Sequence, residues 1–360
     1  MVVFVHYYVQ QFDSAFKSIS PDFFSFCLSG SAGVDLFFVL SGFLIGGILL
    51  KNVKSMSSLK AFYIRRILRI WPLYFVLLTL VFLSAPDQIT GDFRVSWVSY
   101  SCFAQNVSVS LGQMPSYLLA PLWSLAVEEH FYLAAPLLAV YCTRNTVFRI
   151  GLAMAVISPI SRHVLLDSSY RHSVEAAYHF TLCRLDGIGF GIAAAALWSN
   201  PGVHAALIKN RSRLMLASWL LGAIAVAISI PSFGRKFAWS LGLNHTLYSF
   251  FFVMLLLATL SGGCERFSRL LRVSPLRFIG VRCFFIYLFH MPLLDMTGAL
   301  VGGRHFSTTL AVASCLIYSQ VFWRYFEFPL IQFSRRWKYD EPRPAENISA
   351  PVSPAIQIGV

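Results

Sequence analysis

The chain has 360 residues, of which 57% are hydrophobic, 16% aromatic and only 12% charged, and its formal net charge is +13. Soluble domains carry about 25% charged residues, and a water-soluble fold of this length could not bury so much apolar surface, so the composition excludes a soluble enzyme and indicates a multi-pass membrane protein. The basic residues fall between apolar runs rather than along one face, which argues against a nucleic-acid partner and for loops that meet anionic membrane lipids or an anionic ligand.

Taken in chain order, the apolar runs predict an all-α polytopic fold with about ten transmembrane helices, at 1–12, 33–50, 67–84, 123–141, 147–166, 183–199, 214–231, 243–260, 278–298 and 307–330. The first run is short. From Met1 to Gln11 a helix rises only about 15–17 Å, against roughly 30 Å of hydrocarbon. The expectation is that this helix is truncated, or that its true start lies upstream of Met1. The opening residues do not show the basic, apolar and cleavage-site order of a cleaved signal peptide. The segment at 97–110 is too polar to span and is expected at an interface. No internal repeat is visible, so residues 1–336 are read as one integral membrane domain. Residues 337–360, ending in the polar, proline-rich "YDEPRPAENISAPVSPAIQIGV", are read as a disordered tail. The seven cysteines form no CxxC pair and are read as small buried hydrophobes, and no metal is expected.

Counted over alternate loops, one set holds nineteen lysines and arginines and the other eight, out of 29. The positive-inside rule puts the richer set in the cytoplasm. Both termini are then cytoplasmic, in the inner (plasma) membrane of a cell, and Asp35 lies at the outer end of its helix.

Ionisable groups inside spans are costly and are functional candidates by default, although each has a structural alternative. His6, in "VVFVHYYVQ", is a base or nucleophile candidate, or a hydrogen-bonded core residue. Asp35, in "GVDLFFVLSGFLI", could cap its helix; it could also fix one imidazole nitrogen of His6 and leave the other free as a base. Arg65, Arg66 and Arg69, in "FYIRRILRIWPLYF", share a helix face. They are either positive-inside anchors or a clamp for phosphate, which guanidinium groups bind bidentately. "PLWSLAVEEHFYLAAPLL" carries Glu128 and Glu129; as neighbours they point to different sides, so at most one faces a shared cavity, unless they serve as an ion pair between helices. Arg184 and Asp186 are read as an interhelix pair or a site, His290 as a residue within a span, and Glu327 as a partner of Arg324 or Arg66.

Six stretches stand in a fixed order: "GVDLFFVLSGFLI", "FYIRRILRIWPLY", "LWSLAVEEHFYL", "CRLDGIGFG", "IYLFHMPLL" and "RYFEFPLI". Together they resemble the membrane-bound acyltransferase family 3, whose members O-acylate lipopolysaccharide, exopolysaccharide and Nod factors. The resemblance covers His6 to about Arg336. It implies transfer of an acyl group, acetyl being the simplest, from cytoplasmic acyl-coenzyme A to a carbohydrate hydroxyl outside. It also implies that His6 is the family's first-helix histidine, that Arg66 and Arg69 are its RxxR, and that Glu128 is its tryptophan-anchored glutamate. The family's basic residue about three turns before the histidine has no counterpart after Met1. Asp35 and Lys51 are 16 residues apart, about 24 Å along a helix, so coenzyme A at the cytoplasmic arginines could extend its thioester arm toward the histidine. On this reading Asp35 orients His6 or stabilises its charged form. The rival readings are a transporter or flippase, for which no inverted symmetry is visible, and an inactive family member acting as a scaffold.

Overall fold

The computed structural model describes residues 2–9, 26–27, 29–53, 55–84, 93–113, 116–230, 238–301 and 304–339, and every regular element among them is helical. The chain opens with α1, an α-helical turn at Val2–Phe4 that runs into a π-helical stretch at Val5–Val9. A 3-10 turn at Ser29–Ala32 leads into α2 (Gly33–Asn52), and α3 is Met56–Ser84. Two short helices follow, α4 (Phe93–Ser101) and α5 (Gln105–Ser110). A 3-10 stretch at Tyr117–Leu122 enters α6 (Trp123–Tyr141), followed by α7 (Arg144–Leu166) and α8 (Ser173–His179). After a 3-10 turn at Thr181–Arg184 come α9 (Leu185–Trp198), α10 (Pro201–Lys209), α11 (Arg211–Ser229) and α12 (Ala238–Leu260). The final part holds α13 (Glu265–Leu271), α14 (Ser274–Val281), α15 (Cys283–Val301) and α16 (Arg304–Phe322). A second π-helical stretch, Trp323–Glu327, then leads into α17 (Phe328–Ser334).

Among the described residues, eight helical stretches are long and apolar enough to cross a membrane: Ser29–Asn52, Met56–Ser84, Arg144–Leu166, Thr181–Trp198, Arg211–Ser229, Gly242–Leu260, Cys283–Val301 and Phe306–Ser334. The chain is therefore a polytopic all-α membrane protein. Two of the ten expected spans are not among the eight. The run at 123–141 is helical over those same residues, but Glu128, Glu129 and His130 dilute its apolar character. Of the first run, the described residues Val2–Val9 are helical, and residues 10–12 lie outside the described residues. The expected interfacial segment forms the short helices α4 and α5. The helix expected at 67–84 starts eleven residues earlier, at Met56, so Arg65 and Arg66 lie on α3 together with Arg69. Beyond Tyr339, the expected tail lies outside the described residues.

The helices meet closely through glycine. In lipid there is no hydrophobic drive between helices, so small residues that let backbones touch decide where they pack. Gly42 and Gly46 on α2 face Ile188, Ile192 and Ala195 of α9, and Gly191 of α9 faces Val39 of α2. On the other side of α9, Gly189 meets Gly151 of α7 backbone to backbone. A Cβ at Gly42 would lie 2.2 Å from the Ile188 carbonyl oxygen, and one at Gly191 would lie 2.3 Å from that of Val39. Helix α9 is thus clamped between α2 and α7, which fixes its N-terminal end, where Arg184 and Asp186 sit.

Gly42→Ala is expected to destabilise the protein by about 1–3 kcal/mol or more, because the obstructing atoms are backbone and cannot swing away. Gly47→Ala, where nothing lies within 4 Å, is the control and should be neutral or slightly stabilising. Thermal unfolding in detergent checks the difference, and equal melting points would contradict the clamp.

Candidate active site

The N-terminal turn of α6 separates two groups of polar residues. On one side, α2, α9 and α12 converge. Asp35, in the first turn of α2, is fully buried; its Oδ1 accepts a hydrogen bond from Nη2 of Arg184 at 2.7 Å, and its Oδ2 lies 3.1 Å from Nδ1 of His245. Asp186, in the first turn of α9, accepts from Nη2 of Arg162 at 2.7 Å and from the Thr246 hydroxyl at 2.8 Å. Arg162 is also buried, and its remaining N–H groups reach the Gly242 and Cys183 carbonyls. The Arg184 guanidinium carbon sits 5.3 Å from the ring centres of Trp123 and Tyr178 and 5.8 Å from that of Phe38, a cation–π enclosure. Both carboxylates lie at helix N-termini, where the backbone dipole favours negative charge.

On the other side stands His6. Its Nδ1 is 2.8 Å from Nε2 of His290 on α15, and the two rings are stacked with centroids 5.1 Å apart. The buried Tyr7 hydroxyl donates to the His290 carbonyl at 2.7 Å, which fixes α1 against α15. His290 in turn contacts the Tyr287 carbonyl through Nδ1 at 2.7 Å. The Tyr287 hydroxyl bonds the Pro121 carbonyl and Ser124, at the entry to α6, and its ring stacks on Phe37 of α2 at 6.4 Å.

A third group lies one turn further along α2. Glu128 of α6 is buried, and its Oε1 accepts from the hydroxyls of Ser41 on α2 and Tyr132 on α6. Arg66 of α3 lies 5.6 Å from the Tyr132 ring centre and 5.7 Å from that of Phe62. Phe37 and Ser41 are four residues apart, so they share one face of α2. That face therefore meets, in sequence, Tyr287, whose carbonyl holds His290, and Glu128 of the Glu128–Tyr132–Arg66 group.

The structure separates several residues that the sequence reading had joined. Both Asp35 oxygens are occupied by Arg184 and His245, so Asp35 does not hold His6; His290 does. Arg184 and Asp186 do form interhelix pairs, each with a different partner, Asp35 and Arg162. Arg162, which the sequence does not single out, is a buried member of this network. Glu128 is bonded by hydroxyls and makes no ion pair among the described residues. Glu129 receives the Trp71 indole N–H at 3.2 Å, and its Oε1 is buried without a partner among the described residues. Glu327, in the π-helical stretch, is buried, and its Oε1 also has no partner among the described residues; neither Arg324 nor Arg66 pairs with it. Arg65 is occupied, since its Nε donates to the Trp337 carbonyl at 2.9 Å and its guanidinium covers the Tyr339 ring. Arg66 and Arg69 make no hydrogen bond or ion pair among the described residues. His245, Ser41, Tyr132 and Thr246 were not singled out from the sequence. The available signal for His245 was an imidazole in an apolar run, "GLNHTLYSFF"; the hydroxyl residues give no such signal.

Fold and site define a polytopic membrane protein with a histidine pair and buried carboxylates inside its helix bundle. A family model described as an acyltransferase domain matches residues 1–324. The chain belongs to this family, acyltransferase family 3. It is 29% identical over 335 residues to peptidoglycan O-acetyltransferase OatA of Listeria monocytogenes, covering 85% of this chain and 52% of that protein. It is 28% identical over 285 residues to O-acetyltransferase OatA of Staphylococcus aureus, covering 74% of this chain and 46% of that protein. The chain thus spans about half the length of these curated relatives. No solved structure matches it.

Removing one partner of a buried ion pair costs about 3–5 kcal/mol, because the other charge is left uncompensated. Arg184→Met should therefore destabilise strongly, and adding Asp35→Asn should recover part of the loss. A double-mutant cycle on unfolding free energies in detergent measures the coupling; additive single effects would contradict the pairing.

Proposed function

We propose that the chain transfers an acyl group, acetyl being the simplest, from cytoplasmic acyl-coenzyme A to a hydroxyl of a cell-envelope carbohydrate on the outer side of the plasma membrane. The names of the relatives support a carbohydrate acceptor and make peptidoglycan the first to test. The observation that carries the reading is the shared face of α2, which connects His6, through His290, Tyr287 and Phe37, with Ser41, Glu128, Tyr132 and Arg66. Arg66 and Arg69 have guanidinium groups free for an anion, and the 3′-phosphate and pyrophosphate of coenzyme A are such anions. His6 takes the acceptor's hydroxyl proton while the oxygen bonds to the thioester carbonyl carbon. The carbon–sulfur bond then breaks, and coenzyme A leaves as its thiol with that proton. Glu128, held by two hydroxyls, keeps the middle of the bundle polar enough for the thioester arm. Asp35 acts at one remove, by holding Arg184 beside Trp123 and His245 beside Tyr178.

The test is acyl transfer from radiolabelled acetyl-coenzyme A to peptidoglycan fragments by purified protein. His6→Ala should abolish transfer while insertion and folding persist; turnover like the wild type would overturn the assignment.

Arg66→Ala and Arg69→Ala should each weaken acyl-coenzyme A binding. A charge-assisted guanidinium–phosphate contact contributes roughly 1.5–3 kcal/mol, about ten- to a hundredfold in affinity. Lysine should rescue only partly, because it lacks the planar fork. Arg65→Ala should change affinity least, since Arg65 is bound to the Trp337 carbonyl. Calorimetry in detergent measures all three, and an Arg65 effect equal to the others would contradict the division of roles.

A further inference from the structure

We infer that His290 is a positioning residue that sets the tautomer of His6, leaving Nε2 of His6 as the reactive nitrogen. The inference rests on the proposed acyl transfer for its catalytic meaning, but its structural content comes from two contacts. Nδ1 of His290 lies 2.7 Å from the backbone carbonyl of Tyr287. A carbonyl oxygen can only accept, so this nitrogen carries the proton. His290 is fully buried, with no carboxylate in hydrogen-bonding contact among the described residues, and an unpaired buried charge is costly. The ring that fits is the neutral one, with Nε2 as a bare acceptor. That Nε2 is 2.8 Å from Nδ1 of His6, so Nδ1 of His6 must donate. A neutral imidazole has one N–H, and the proton on Nδ1 leaves Nε2 of His6 with an open lone pair. Among the described residues this Nε2 has no hydrogen-bond partner, and His6 is only partly buried. The relay therefore runs from the Tyr287 carbonyl through His290 to His6.

The device does for His6 what a carboxylate does in a His–Asp pair: it fixes tautomer and ring orientation. It differs in adding no negative charge, which suits a site within apolar helices. Tyr7 secures it by donating to the His290 carbonyl, so the register of α1 against α15 is tied to the same residue that sets the proton.

The experiment is nitrogen-15 NMR of the full-length protein labelled at histidine, in detergent micelles, with the His6 signals assigned by difference against His6→Gln. The wild type should show His6 protonated at Nδ1 and bare at Nε2. His290→Leu removes the acceptor and should return His6 to a mixture dominated by the Nε2–H form. His290→Gln supplies an amide oxygen that can accept from Nδ1 and should keep the wild-type pattern. Acyl transfer should follow: a fall of roughly 10- to 100-fold in His290→Leu, the range for loss of an orienting partner, and substantial recovery in His290→Gln. A wild-type His6 carrying its proton on Nε2 overturns the inference without any variant, so misfolding of His290→Leu does not protect it. An unchanged tautomer in a folded His290→Leu protein overturns it too. Because the tautomer is read without substrate, an Nδ1–H signal in a protein that transfers no acyl group would refute the proposed function and leave the tautomer assignment standing.

Discussion

The backbone contact of α9 with α2 and α7 is the constraint from which the rest of the interior follows. Glycine at 42, 151, 189 and 191 lets three helices approach until carbonyl oxygens stand where side chains would otherwise be. At that separation α9 cannot slide along its neighbours without a clash. Its N-terminal end then delivers Arg184 to Asp35 of α2 and Asp186 to Arg162 of α7. Four buried ionisable groups would be prohibitive if any were left alone, but each is brought to an opposite charge by packing that the glycines dictate. The glycines and the ion pairs are thus one device. The small residues set the distance, and the pairs reject every other register.

Helix α2 connects this device to the candidate chemistry. One part of its surface packs on α9; another carries Phe37 and Ser41, which meet Tyr287 and Glu128 respectively. The proposed donor end at Arg66 and the proposed reactive end at His6 are both referred to the same rigid helix. The two π-helical stretches carry His6 and Glu327. Such stretches tend to occur at functional positions, because the extra residue per turn re-aims a side chain. Here one of them turns His6 toward His290 while Tyr7 remains buried.

The spans were legible because apolar length is a one-dimensional property. The run at 123–141 coincides with its helix, and most other boundaries fall within a few residues. Candidate residues were legible for a related reason: a charge in an apolar run stands out wherever it lies. Partners were not legible. Asp35 was expected to hold His6, yet the chain has nine histidines, and the one that meets Asp35 is His245, placed there by a helix 210 residues away in sequence. Arg162 gives no local sign of its role, because its cost inside the bundle is removed by Asp186, Thr246 and two carbonyls that no local pattern announces. Ser41 and Tyr132 are ordinary residues of apolar helices until Glu128 is folded between them.

The central claim is that donor and acceptor meet from opposite sides of the membrane at His6. The most direct measurement uses proteoliposomes in which the orientation of the protein is known. Acyl-coenzyme A with a labelled acyl group is enclosed on the face bearing Arg66 and Arg69, and the carbohydrate acceptor is supplied only on the other face. The account predicts label on the acceptor in this arrangement and none when the two compartments are exchanged. Equal labelling from either side, or labelling only when donor and acceptor share a compartment, would contradict it.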